Sequence, residues 1–130
     1  NITDANSQWN DIKSIKIRNF ERKDDVAQYG VGEKVQIGVV AQEVETVSPG
    51  LIKEGEPMAE DIKMSSAFGT LYEEGDDIPE GKKIGDIKSL IGEKVKTVSY
   101  SVLYMKAIKA LQEAQTRIET LETKVAALEG

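Results

Sequence analysis

Ser101 and Lys106 put a hydroxyl and an amine on one predicted helix, the two groups that a histidine-free nucleophile would need. On a helix, only residues three or four apart face each other, and an offset of five turns these two away from one another. They form no dyad. Glu73, Glu74, Asp76, Asp77 and Glu80 crowd carboxylates together, but without the alternating oxygen ligands and glycine of a calcium loop. They read as a solvated turn. Gln42 and Glu43 open a predicted helix, where Glu43 suits the positive helix end, so a structural role stands beside any functional one.

The chain has no cysteine and no histidine. That removes disulfides, thiol chemistry, most zinc sites and any triad built on imidazole. No metal site and no cofactor is expected. Net charge is −6, with the acidic excess in residues 35–96, while both terminal stretches balance. With no basic stripe to neutralise phosphates, nucleic acid is not an expected partner. No apolar run approaches the roughly 20 residues of a membrane span, so a membrane is not expected either. The opening NITDANSQWN lacks the basic and apolar regions of a signal peptide, which fits folding in a cytoplasm.

The elements that would carry any site follow from periodicity. Asp4 to Ile15 predicts a helix with Trp9, Ile12 and Lys13 on one face and Thr3 or Asp4 as N-cap. Ile15 to Phe20 and Val35 to Val40 alternate as strands, and the polar stretch Glu21 to Gly32 between them reads as a turn or hairpin loop. Ala41 to Val47 predicts a short helix stopped by Pro49-Gly50, and Leu51-Ile52 begins another extended piece. Residues 53–96 carry many glycines with recurring short apolar runs, which predicts short strands and turns. Lys94 to Val98 alternates as a strand.

From Ser99 to Glu129 there is neither glycine nor proline, and good helix formers dominate the second half. With Leu111, Ile118 and Val125 at heptad position a, Ala107, Ala114, Leu121 and Leu128 fall at d. Arg117 and Lys124 then occupy g, and Glu122 and Glu129 occupy e of the following heptad, where they can bridge neighbouring chains of a parallel coiled coil. Glu113–Arg117 adds an in-chain i,i+4 pair. Sparse aromatics suggest a light core that oligomerisation would supplement. β-Branched residues at a with Leu at d lean toward a dimer, and the alanines at d loosen that rule, so composition leaves the strand number open.

Three segments stand in a distinctive order. Asn1-Ile2 leads to Trp9, Ile12, Ile15, Ile17 and Phe20-Glu21-Arg22-Lys23. Ile37-Gly38-Val39-Val40-Ala41-Gln42-Glu43-Val44 follows, with Pro49 and Leu51-Ile52 after it. Val98-Ser99-Tyr100-Ser101-x-Leu103 then runs into Ala107-Ile108-Lys109-Ala110-Leu111-Gln112. This order resembles the endosialidase-type intramolecular chaperone domain at the C-terminus of phage tail spikes, tail fibres and neck appendages. Nearly the whole chain is covered, with 53–96 as a variable insertion.

The resemblance implies a homotrimer that nucleates folding of the β-rich stalk on its N-terminal side and then cuts itself off. In that family a serine opens a Ser-Asp-x-Arg-x-Lys stretch just before Asn-Ile, and its lysine can serve as general base. Both dyad members would precede Asn1, so no catalytic residue is expected among the residues from Asn1 onward. Gln42 and Glu43 would order the cleavage site or contact the stalk, unless they merely start a helix. The expected seam residues are Leu111, Ala114, Ile118, Leu121, Val125 and Leu128.

The expected fold is α+β: a small mixed domain over residues 1–98 with a protruding strand-and-turn insertion at 53–96, then a trimerisation helix over 99–130. Synthesis and action in the host bacterial cytoplasm, with release from the mature virion fibre, complete the expectation. A permanent trimeric adaptor of a virion fibre, without proteolysis, is the rival reading. A membrane-anchored transcription factor with the same domain is disfavoured by the lack of an apolar span.

Overall fold

The computed structural model describes residues 1–130, which divide into two compact units. Unit 1 gathers Asn1–Lys16, Val39–Ile52 and Val98–Gly130; unit 2 gathers Ile17–Gly38 and Lys53–Thr97. The chain therefore leaves unit 1 twice, and both excursions belong to unit 2.

Unit 1 holds helix α1 (Trp9–Ser14), helix α3 (Ala41–Val47), a 3-10 turn at Pro49–Leu51 and helix α5 (Tyr100–Glu129). Leu51 and Val44 are fully buried, and Ile15 and Leu103 join them in the core. Ile12, Val39, Val47, Ile52 and Val98 pack around it. Every segment of unit 1 thus contributes to one cluster, which the Ser99 N–H tightens by donating to the Leu51 carbonyl at 2.8 Å. α3 covers the expected residues, and its Val44 and Val47 face inward as their spacing requires. α1 starts at Trp9 rather than near Asp4. Neither Thr3 nor Asp4 caps it; the cap comes from Glu113 of α5, described below.

Unit 2 is built of strands that pair two by two. β1 (Arg18–Glu21) and β2 (Val35–Gly38) run antiparallel, pairing Arg18 with Gly38 and Glu21 with Val35. The polar stretch between them, expected as loop, contains helix α2 (Lys23–Tyr29). Asp24 and Asp25 in its first turn and Gly30 at its end, with φ +98°, are ordinary helix-boundary residues that short length concealed.

β3 (Ile52–Gly55) pairs with β6 (Val95–Val98), closing the base of the 53–96 segment. Helix α4 (Ala59–Met64) starts where the Asp61 carboxylate accepts the Met58 N–H at 2.7 Å, a cap from the first turn that the sequence reading overlooked. β4 (Gly69–Leu71) and β5 (Ile87–Leu90) form an antiparallel pair with a register shift after Thr70. Only glycine fits at 69, because a Cβ there would stand 2.2 Å from the Ser89 carbonyl oxygen.

The chain is a small mixed α/β protein ending in one long helix. Its strands pair as three separate two-stranded ladders. At 30 residues, α5 runs about 45 Å. α5 shares unit 1 with the N-terminal segment, because its first half packs on α1.

Candidate functional site

α5 presents two different flanks. One carries Leu103, Lys106, Ala110, Glu113 and Arg117, spaced by three and four, and it holds residues 7–12. Leu103 and Ala110 are buried. Lys106 Nζ donates to Gln8 Oε1 at 2.7 Å and lies 3.2 Å from Asp11 Oδ2. The Glu113 carboxylate accepts the Ser7 hydroxyl at 2.7 Å and the Gln8 N–H at 2.8 Å. Those two bonds, the Ser7 one foremost, hold its carboxyl below the usual glutamate range, with Lys109 and Arg117 adding smaller attractions. Arg117 lies over the Trp9 ring, its guanidinium carbon 3.7 Å from the centroid.

The other flank carries the heptad stripe. Leu111, Ile118, Leu121 and Val125 are each at least half exposed, and Leu128 is 87% exposed. Ala107 is exposed and Ala114 half-buried. An apolar groove of about 520 Å³ runs between α1 and α5, with Ala107, Ala110, Leu111 and Ala114 on one side and Trp9, Ile12 and Lys13 on the other. Farther along α5, a depression of about 350 Å³ is lined by Ile118, Leu121, Glu122, Val125, Ala126 and Glu129. Apolar side chains of this size gain roughly 1.5–3 kcal/mol each on full burial, and in the single chain that gain is not realised.

The structure brings the expected seam residues into one row, exposed except for the half-buried Ala114, and sets Glu122, Lys124 and Glu129 along it on the solvent-exposed end of α5. Arg117, expected to bridge to a neighbouring chain, stacks on the chain's own Trp9. The closest partners of Glu113 are Ser7 and Gln8 of its own chain, not Arg117. Sequence reading singled out Trp9 only as a helix-face residue, weighed Lys106 only against Ser101, and missed Ser7, Gln8 and Asp11. A second i,i+3/i+4 series on α5 (106, 110, 113, 117) was the available signal.

Gln42 and Glu43 lie in the first turn of α3, beside a depression of about 330 Å³ shared with Ser14, Lys16, Thr46 and Val47. Gln42 is exposed and Glu43 half-buried. The acidic run 73–80 folds as a turn: the Asp76 carboxylate accepts the Glu73 N–H at 2.8 Å and pairs with Lys88 at 3.3 Å. Those contacts, the backbone bond first, lower its pKa. No cluster of acidic side chains is arranged to hold a metal ion. No helix is long and apolar enough to cross a membrane.

Comparison with known proteins bears on this arrangement. Residues 1–53 match the model of a family described as chaperone of endosialidase. That match, over 53 of the 130 residues, supports the resemblance to an endosialidase-type intramolecular chaperone domain. The match takes in α1, the β1–β2 hairpin, α3 and the 3-10 turn, which include the first two motif segments recognised in the sequence. That family name indicates a phage-associated intramolecular chaperone, with a tail spike or fibre stalk as its associate. No curated protein matches the chain significantly.

Proposed function

We propose that this chaperone domain acts as a homotrimer, seeds folding of the β-rich stalk that precedes it in a phage fibre or spike precursor, and is then released. Release would come from cleavage just upstream of Asn1 by a serine–lysine dyad in the preceding chain. The setting would be the host bacterial cytoplasm during phage assembly. The single observation that carries this reading is the exposed apolar stripe from Leu111 to Leu128 on a helix whose adjoining flank is already packed.

A stalk of intertwined strands needs three chain ends in register, and bringing distant segments together is slow and costs loop-closure entropy. A seed that associates first raises the effective concentration of the three stalks. Removing the seed afterwards leaves a product whose reassembly template is gone, so its persistence is kinetic.

Sedimentation equilibrium of the 14.3 kDa chain and the mass of the mature fibre subunit test the two halves separately. A trimer with a shortened mature subunit supports the reading. A trimer whose precursor is never shortened would favour the permanent adaptor, and a monomer at every concentration overturns both.

A further inference from the structure

The two depressions on α5 match the heptad in a specific way. With Leu111 and Ile118 at a, the α5 side of the first is Ala107, Ala110, Leu111 and Ala114, which are positions d, g, a and d. Ile118, Leu121, Glu122 and Val125 of the second are a, d, e and a. In a parallel, in-register coiled coil each knob enters a hole of four residues on the facing helix. The d-g-a-d set receives a knob from position a, and the a-d-e-a set receives one from position d. The surface of a single chain already displays both kinds of hole.

The first hole is not made by α5 alone. Trp9 and Ile12 of α1 wall the groove. We infer that Leu111 of a second copy of this chain inserts there, between the α5 alanines and Trp9 and Ile12, so that α1 is part of the inter-chain contact. This rests on the reading that the chain self-associates through α5, and it extends that seam beyond the helix. The occupant follows from the surface itself. Ala107, Ala110 and Ala114 leave room for one branched side chain, and in-register packing presents Leu111, which is 61% exposed, at that level. Lys124 at g and Glu129 at e of the next heptad are complementary only when a second copy runs parallel and in register. The stacked Arg117 steadies the Trp9 wall against which the leucine would rest.

Trp9 is the sole tryptophan, so its emission reports on the groove. Acrylamide quenching of Trp9 is measured across a concentration series in which sedimentation gives the oligomeric state. The expected result is a blue shift and a loss of quenching that follow association. Leu111→Ala should stay associated at raised concentration through the remaining layers while its Trp9 regains quenching. Leu121→Glu, which disrupts the other hole, should be monomeric with Trp9 quenched as in the dilute wild type. An oligomer whose Trp9 is quenched as in the monomer overturns the inference and leaves the self-association reading standing. So does a Leu111→Ala oligomer that protects Trp9 as well as the wild type. A chain that stays monomeric throughout overturns both.

Discussion

The Arg117 guanidinium carbon lies over the Trp9 ring, 3.7 Å from its centroid, and ties the long helix to the first one. A guanidinium can stack on an indole; an ammonium is a compact point charge that cannot do so in the same way. Arg117→Lys should therefore loosen α1 from α5 and cost about 1 kcal/mol, the range for a partly exposed cation–π contact. Urea unfolding at fixed protein concentration measures it, since association also contributes to apparent stability. A Trp9→Phe, Arg117→Lys cycle with no coupling would show that the two residues are merely adjacent.

Glu113 gives the same attachment a pH dependence. Its folded pKa is depressed by the Ser7 hydroxyl and the Gln8 N–H. A depressed carboxylate contributes stability that is fully present above its unfolded pKa and is lost as pH falls through the folded value. Protection of the Gln8 amide, taken relative to its intrinsic exchange rate at each pH, should accordingly fall in acid, below the ordinary glutamate range, while Glu113→Gln should show low protection already at neutral pH and respond less to acid. Equal acid responses in the two proteins would count against Glu113 as the cap.

These two attachments explain what sequence reading could and could not reach. α3, β6 and α5 were legible because each is bounded by proline, glycine or a clean change of periodicity. The heptad stripe was legible for the same reason: one helix sets it. Trp9 on Arg117 and Glu113 on Gln8 were not, because each joins residues about a hundred apart and no local pattern encodes that pairing. α1 was placed too early since Thr3 and Asp4 offer a local cap, whereas the real cap arrives from a distant helix. α2 and α4 are short enough that their cap signals looked like turn composition.

Leu51 is the residue on which unit 1 should depend most. Its side chain has no exposure and it is surrounded by Ile15, Val44 and Leu103 from three separate chain segments. Leu51→Ala should cost about 2–5 kcal/mol, the range for emptying a filled core position. Thermal unfolding followed by circular dichroism would register it as a lowered midpoint. An unchanged midpoint would mean that this cluster does not limit stability.

Ile118 makes the opposite case, being 54% exposed in the single chain. Ile118→Asp should leave the dilute, unassociated chain within about 0.5 kcal/mol of wild type, as surface substitutions usually do. Across a seam, however, it places a charge in an apolar layer, and self-association should be lost. In the precursor, failure of the stalk to become protease-resistant should accompany that loss. If the stalk matures normally while association is abolished, seeding by α5 is wrong.

The final prediction concerns residues 53–96. The core cluster of unit 1 takes nothing from Lys53–Thr97. The segment instead buries Ile62 among its own neighbours and leaves Ile84, Leu90 and Ile91 largely exposed. Connections longer than about 12–15 residues are usually functional or disordered, and this one is folded into α4, the β4–β5 pair and β6. Its two ends are joined by the β3–β6 ladder, where the Thr97 hydroxyl also donates to the Lys53 carbonyl at 3.4 Å. Replacing residues 55–92 with a short Gly/Ser linker keeps most of that ladder and every core residue of unit 1. The variant should retain its α5 helicity and its self-association while the attached stalk fails to fold, because the exposed apolar residues that would grip the stalk are gone. Circular dichroism and sedimentation check the first half, and protease resistance of the stalk in the precursor checks the second. A variant that loses its helicity would make the segment part of the domain's own stability, and one whose stalk matures normally would leave it without a role in folding.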